Sequence, residues 1–511
     1  MRREHRPRTA AVCLLGIALA AAAADAATFT VSTLADSGGG SLREAIAAAN
    51  AASGADTIVF ALAGTSPHVI TLASALPGIT GTLVIDGYSQ PGSAPNTLTT
   101  TQGGLDTQLA VEIIGTGGPG FWLQGAGANL TVQGLALRQF ADAIVGATGG
   151  IDGSQVQVYG NYIGTRVDGT ALPANGNSGC AVRAGFSSVR IGGTQPWQRN
   201  LLSGNGGAGV YAVGPVVIEG NLIGTDASGT SAIPNGGASN WAGIVLGSRR
   251  QVRIGGADPA MRNVISGNRT WGIALWASFG SGGAIAEFEI KGNTIGADAS
   301  GLLPLPNGFA APSAATFGGG IQVQDSASGV GGTFPIGGFD PGEANRIVWN
   351  FGAGIAAANN HANEMFDQRG NVIHHNRGVG RANVDIGAAG PTPNDIGDAD
   401  GGANRTQNWP EIVAASLAGN QLTLTYRVDT DVAHASWPLR IDFHANVRGG
   451  SGAWLGADTC PAASAGQLRT LTLLLPAGVR ALPVVATATD AAGRSSEFSP
   501  AFDVLFEDDF D

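Results

Sequence analysis

Near residue 400 five oxygen-bearing side chains fall close together: Asn394, Asp395, Asp398, Asp400 and Asn404, spaced by Gly397 and the pair Gly401 and Gly402. Hard cations take roughly six to eight oxygens from a flexible, glycine-containing loop, so these five residues are expected to bind calcium. The competing account is an acidic linker in which Asp and Asn only form turns. A second chemistry is offered by tryptophans. Trp241, Trp271 and Trp276, with Trp197 and Trp349, lie in or beside repeated loops, where flat rings stack on sugar faces if exposed and extend the core if not.

Polysaccharide cleavage uses clustered carboxylates, either as an acid and base pair or as calcium ligands beside a cationic base. Asp142, Asp152, Asp168, Asp226 and Asp298 are spread along the middle of the chain. Asp226 and Asp298, however, occupy matching places in successive repeats, which is how turn residues behave. Lys291 belongs to a repeat strand, and Arg249, Arg250 and Arg253 serve equally as a cation source or as loop solvation. No catalytic residue is assigned on this pattern. His361, His374 and His375 invite a metal reading, but neighbours on an extended strand face opposite sides, so His374 and His375 are expected to be surface histidines.

The elements that carry these residues are repetitive. Blocks open with Gly-Asn-x-Ile-Gly at Gly160, Gly220 and Gly292, and Gly370-Asn371-Val372-Ile373 begins a shortened fourth. Each full block reaches Ile-Gly-Gly at Ile191, Ile254 and Ile336 and closes on Asn200, Asn263 and Asn345. The closing distances fit one coil carrying a variable loop. Short apolar pieces such as Val216-Val217-Ile218 and Phe288-Glu289-Ile290 are strands, joined by tight turns and not by helical crossovers. A solenoid of stacked parallel strands is the economical architecture. Asn161, Asn221, Asn293 and Asn371, with Asn205, Asn268, Asn350 and Asn376, are expected to form ladders at its corners, because Asn tolerates left-handed backbone and its amide both donates and accepts.

A chain of 511 residues with 81 glycines, 43% apolar and 13% charged residues suits many short strands with tight turns. Net charge is −11 and Lys291 is the only lysine, so no basic face for nucleic acid is expected. Arginines at the start, an apolar run and Ala24-Asp25-Ala26 read as a secretory signal over residues 1–26, leaving no transmembrane span after its removal. Cys180 and Cys460 are expected to be unpaired thiols. Residues 27–110 are expected to form an N-terminal cap with first strands and a short helix over residues 45–51, started by Ser41 and Glu44 as a reciprocal cap. Residues 111–393 form the β-helix, 394–409 the Asp/Asn-rich linker with the calcium loop, 410–504 an Ig-like antiparallel β-sandwich and 505–511 an acidic tail.

Ser41-Leu42-Arg43-Glu44-Ala45, the Gly-Asn-x-Ile-Gly-Thr-Asp repeat at 220–226, and the run from Thr392 to Pro410 together resemble a family of bacterial secreted parallel β-helix repeat proteins. That family carries an N-terminal Cys-Ser-Leu-Arg-Glu-Ala segment, with Gly40 standing here where its cysteine would be. The resemblance covers nearly the whole mature chain and implies an all-β fold: a right-handed parallel β-helix of the pectate-lyase-like type with a terminal sandwich. That fold hosts both adhesins and polysaccharide enzymes. The expected protein is therefore a secreted or outer-surface monomer binding extracellular polysaccharide or cell-surface glycan, or displaying structure. The alternative is a polysaccharide lyase or glycoside hydrolase acting in a β-helix groove.

Overall fold

A computed structural model describes residues 26–146, 153–170, 176–185, 187–237, 241–247, 250–276, 286–308, 318–324, 333–357, 365–376, 382–475 and 483–506. The expected signal, His361, Asp152, Arg249 and most of the acidic tail lie outside the described residues. Among the described residues no helix is long and apolar enough to cross a membrane.

Each apolar strand piece buries alternate side chains, and the next coil presents the same residue types in the same register. In the first sheet Val158, Ile191, Ile218, Ile254, Ile290 and Ile336 stand in one parallel row, each hydrogen-bonded strand directly on the next. A second sheet stacks Ile163, Leu202, Ile223, Ile265, Ile295, Ile347 and Ile373. A third stacks Val182, Val210, Ile244, Ile273, Ile321, Ile355 and Val384. These rows face one another and fuse into a single apolar core running the length of the solenoid. The chain is a parallel β-helix built from these three sheets.

Asparagine corners hold the coils in register. Along one edge the side-chain amides run Asn161, Asn200, Asn221, Asn263, Asn293, Asn345, Asn371, each Nδ2 donating to the next Oδ1 at 2.9–3.4 Å. Every one also donates to a buried backbone carbonyl, as Asn221 does to Ile191 at 2.9 Å. A second ladder runs Asn177, Asn205, Asn235, Asn268, Asn307, Asn350, Asn376, Asn383. Two details differ from the expectation. The spans from Asn200, Asn263 and Asn345 to the next Gly-Asn corner are single coils, as expected, but these three asparagines are themselves rungs of the ladder, which the expected set left out. The left-handed residue is the glycine before the corner (Gly160 φ 62°, Gly220 φ 74°, Gly292 φ 68°), while the asparagines keep ordinary backbone.

The helix spans Leu42–Ala51 and starts three residues earlier than expected. Ser41 Oγ accepts from Glu44 N, and Glu44 Oε2 accepts from Gly40 N, so each end of the motif satisfies the other. Leu42, Ala45, Ile46 and Ala49 go into the solenoid core, while Arg43 donates to Asp36 Oδ1 and to the Ser74 and Ala75 carbonyls. Gly40 has φ 75°, and a Cβ there would sit 2.4 Å from Ser32 Oγ, so glycine suits this position.

Residues 87–110 leave the coils and lie along the outer face of the second sheet. Tyr88, Leu105 and Leu109 pack there on Tyr162, Leu201, Leu222 and Val264. Buried Arg199 latches this strap by donating to the carbonyls of Leu98, Thr99, Gly103 and Gly104, and it also reaches Gly220 O at 2.9 Å. Leu105 N donates to Ala227 O and Thr100 Oγ1 to Pro259 O. The outer face of the second sheet is therefore covered across these coils.

Past residue 410 the strands pair mostly antiparallel, with Leu505–Phe506 lying parallel to Glu411–Ala418. Glu411–Ala418, Gln421–Arg427 and Arg469–Leu474 form one sheet, and Leu439–Val447, Gly450–Cys460 and Val484–Thr489 extend the second solenoid sheet through an Ile373 to Ser451 bridge. The two groups share a core around Leu424, Tyr426, Ile441 and Phe443. Cys180 and Cys460 are buried free thiols.

Candidate functional site

The acidic loop connects the last coil strand, Val384–Ile386, to the antiparallel strands, and backbone hydrogen bonds give it its shape. Asn394 and Trp409 clasp one another, Nδ2 to O at 2.9 Å and N to Oδ1 at 3.0 Å. Asn408 holds Asp395 by its backbone N–H and carbonyl. Within this frame Asp395, Asp398 and Asp400 each bring a carboxylate oxygen within 4.8 Å of the others.

Of the five candidate ligands, the three aspartates converge. Asn404 is buried and spent on the solenoid end, accepting from Phe366 N and donating to the Phe366 and Ser495 carbonyls. Asn394 serves as the clasp. A ligand asparagine and a clasping asparagine look alike in sequence.

Three carboxylates this close repel one another. Asp398 is 3% exposed, and burial, reinforced by the charges of Asp400 and Asp395, pushes its carboxyl up to about 7 despite hydrogen bonds from Asn408 N and Thr430 Oγ1. Burial and Asp395 raise Asp400 to about 6. Asp395 Oδ2 accepts from Ala399 N and Asp400 N, while its Oδ1 is buried without a hydrogen-bond partner. An orphaned carboxylate oxygen and a negative cluster held by backbone fit a hard divalent cation.

The tryptophans divide. Trp271 is 5% exposed and lies under the coil surface against Gly319, so it extends the core. Trp241 and Trp276 are half-buried on the outer face of the third sheet, with ring centroids 5.8 Å apart, and Tyr211 meets Trp241 edge-on at 5.5 Å. Arg183 sits 5.1 Å over the Tyr211 ring. Ala208, Ala242 and Ala274 floor this strip. Small residues beneath aromatic ones give a shallow, amphipathic surface.

The outer face of the first sheet carries charges that neutralise one another. Buried Glu219 lies between Arg190 at 2.9 Å and Arg253 at 2.7 Å, and Lys291 pairs with Glu343 at 2.7 Å. Asp226 and Asp298 cap their own turns, accepting from the backbone N–H groups of residues 230–231 and 302–303. Beside Arg253 a recess of about 620 Å³ is lined by Gln251, Glu287 and Glu289, with Gln251 and Glu287 left-handed at φ 55° and 53°.

His374 and His375 are not the surface pair expected. His375 has φ 57°, which breaks the extended alternation and brings the two Nδ1 atoms to 2.7 Å, beside Trp349. His374 is buried, and burial with the His375 and Arg346 charges lowers it to about 4.

No protein-family model matches the chain, and no curated protein matches it.

Proposed function

We propose that this is an exported surface or extracellular β-helix protein, a monomer, that binds carbohydrate in an adhesin-like manner and is not built for turnover. The observation that carries this reading is the Tyr211, Trp241 and Trp276 group, half-exposed on a floor of alanines along a face that no described strap covers. Rings in that setting stack on sugar faces. Export is read from the residue 1–26 segment, and kinship with the bacterial secreted family from Ser41 to Ala45. In this reading the coil turns right-handed, the helix and its neighbours cap the solenoid, residues 410–504 are an Ig-like sandwich, and Asp395, Asp398 and Asp400 hold calcium that stiffens the junction.

A glycan array with the mature protein tests it. Wild type is expected to retain a defined set of glycans, and Trp241→Ala and Trp276→Ala each to weaken retention about tenfold, the loss expected for truncating an aromatic anchor. Equal retention by all three proteins would remove the aromatic strip from the account.

The recess at Arg253, Glu287 and Glu289 favours a second reading, a polysaccharide lyase or glycoside hydrolase, since it joins carboxylates, a cation and left-handed non-glycine backbone. Loss of product release in Glu287→Gln or Glu289→Gln would establish that activity.

A further inference from the structure

Where the last coils meet the antiparallel strands, a cleft of about 720 Å³ opens between Thr333, Pro335, Met365 and Asp367 on one side and the 433–436 and 491–494 turns on the other. The space exists because those turns carry Ala433, Ala435, Ala491 and Ala492, where larger side chains would fill it. Three arginines line the cleft: Arg369, Arg405 and Arg494. Two of them are already matched. Arg369 Nε donates to Asp367 at 2.6 Å, and Arg494 Nε donates to the buried Asp490 at 2.9 Å.

Arg405 differs. It is exposed, its side chain makes one hydrogen bond, to the His434 carbonyl at 3.2 Å, and among the described residues it has no carboxylate partner. Its position is imposed by the backbone. Asn404, Arg405 and Thr406 run φ 48°, 53° and 50°, three left-handed non-glycine residues in succession, a conformation that L-residues adopt singly and at a cost. The three hydrogen bonds of Asn404 to Phe366 and Ser495 hold this turn against the solenoid end and leave Arg405 at the cleft.

We infer that this cleft is a binding site for a carboxylate-bearing sugar, a uronate unit of an acidic polysaccharide, with Arg405 as its unneutralised guanidinium. The inference rests on the carbohydrate-binding reading and names a ligand class for a place apart from the aromatic strip. The cleft carries one uncompensated positive charge in a chain of net charge −11, which suits a monoanion. Phosphate recognition commonly recruits a nest of free backbone N–H groups, and the 491–494 turn has none to give. Ala492 N and Arg494 N donate to Asp490 Oδ1, Gly493 N to Asp490 O and Ala491 N to Ser436 O. Recognition therefore falls on the planar guanidinium, which pairs with carboxylate. The volume accommodates a sugar ring or two, with Pro335 and Met365 as apolar contact.

The test is calorimetric titration of the full chain with a galacturonate trimer and with a neutral glucose trimer. The uronate trimer is expected to bind with an affinity that falls with salt. Arg405→Gln should weaken it roughly tenfold or more and Arg405→Glu further, with unchanged melting temperatures, because the side chain is exposed. Uronate affinity indifferent to Arg405→Glu, no uronate binding, or equal binding of the neutral trimer would overturn the inference. If neutral glycans still depend on Trp241 while the uronate ignores Arg405, the aromatic reading stands and the cleft falls.

Discussion

Asp398 and Asp400 hold protons more tightly in the folded chain than in an unfolded one. A carboxyl whose folded value is raised contributes stability at low pH and loses it as pH climbs from the ordinary carboxylate range through about 6 for Asp400 and about 7 for Asp398. Calcium would relieve the repulsion only where the groups are charged. Thermal unfolding in calcium against chelator is expected to show a raised midpoint at about pH 8 and none at about pH 5, with Asp398→Asn removing the difference. A calcium shift equal at both pH values would place the ion elsewhere. His444 runs the other way. It is 0% exposed, both ring nitrogens lack partners, and burial lowers it to about 3. The unfolded chain takes up that proton below about 6.5 and the folded chain does not, so stability drains away as pH falls between those values. His444→Leu is expected to keep the neutral-pH midpoint or raise it and to flatten the acid limb of a melting-temperature profile; an unchanged acid limb would assign that loss to other groups.

At the scale of elements, the corner asparagines stabilise by satisfying carbonyls that the coil otherwise buries. Asn221→Ala strips donors from Ile191 O, Glu219 O and Asn263 Oδ1, and is expected to cost about 3 kcal/mol in denaturant unfolding, since each orphaned buried group costs roughly 1–3 kcal/mol. Arg199→Ala is expected to release the 87–110 strap, read as new proteolytic cuts near residues 98–104 while the coil melts almost as before. Much of the coil was legible because Gly-Asn corners and two-residue alternation follow directly from turn and strand geometry. The ladder role of Asn200, Asn263 and Asn345 was not, because their corners read Arg199-Asn200, Arg262-Asn263 and Ala344-Asn345, without the glycine that marks the others. The strap was invisible for a different reason: Arg199 recognises backbone carbonyls, which leave no residue pattern. The same limit applies at the acidic loop, where composition offered five oxygen-bearing residues together and could not show that Asn404 is anchored to Phe366 and Ser495 at the solenoid end. At His375 the alternation rule failed because one left-handed residue reverses it.

Across the whole molecule, the solenoid and the antiparallel strands are tied by more than a chain crossing. The second sheet continues through Ile373 and Ser451, and Glu497 bridges backward to Ile386 N and Thr392 N, both at 2.8 Å. The acidic loop and the arginine cleft both lie at this junction, so the acidic loop, the charged cleft and the aromatic strip belong to one hydrogen-bonded stack of strands. Among the described residues Glu112, Glu219 and Glu343 pair with basic side chains and Asp226 and Asp298 are spent on turns, which fits the proposed retention of a polymer. Incubating the purified mature chain with a panel of acidic and neutral polysaccharides, while following both protein retained and new chain ends released, tests that claim most directly. The account predicts retention with no new chain ends, whereas ends accumulating in proportion to protein and time would contradict it.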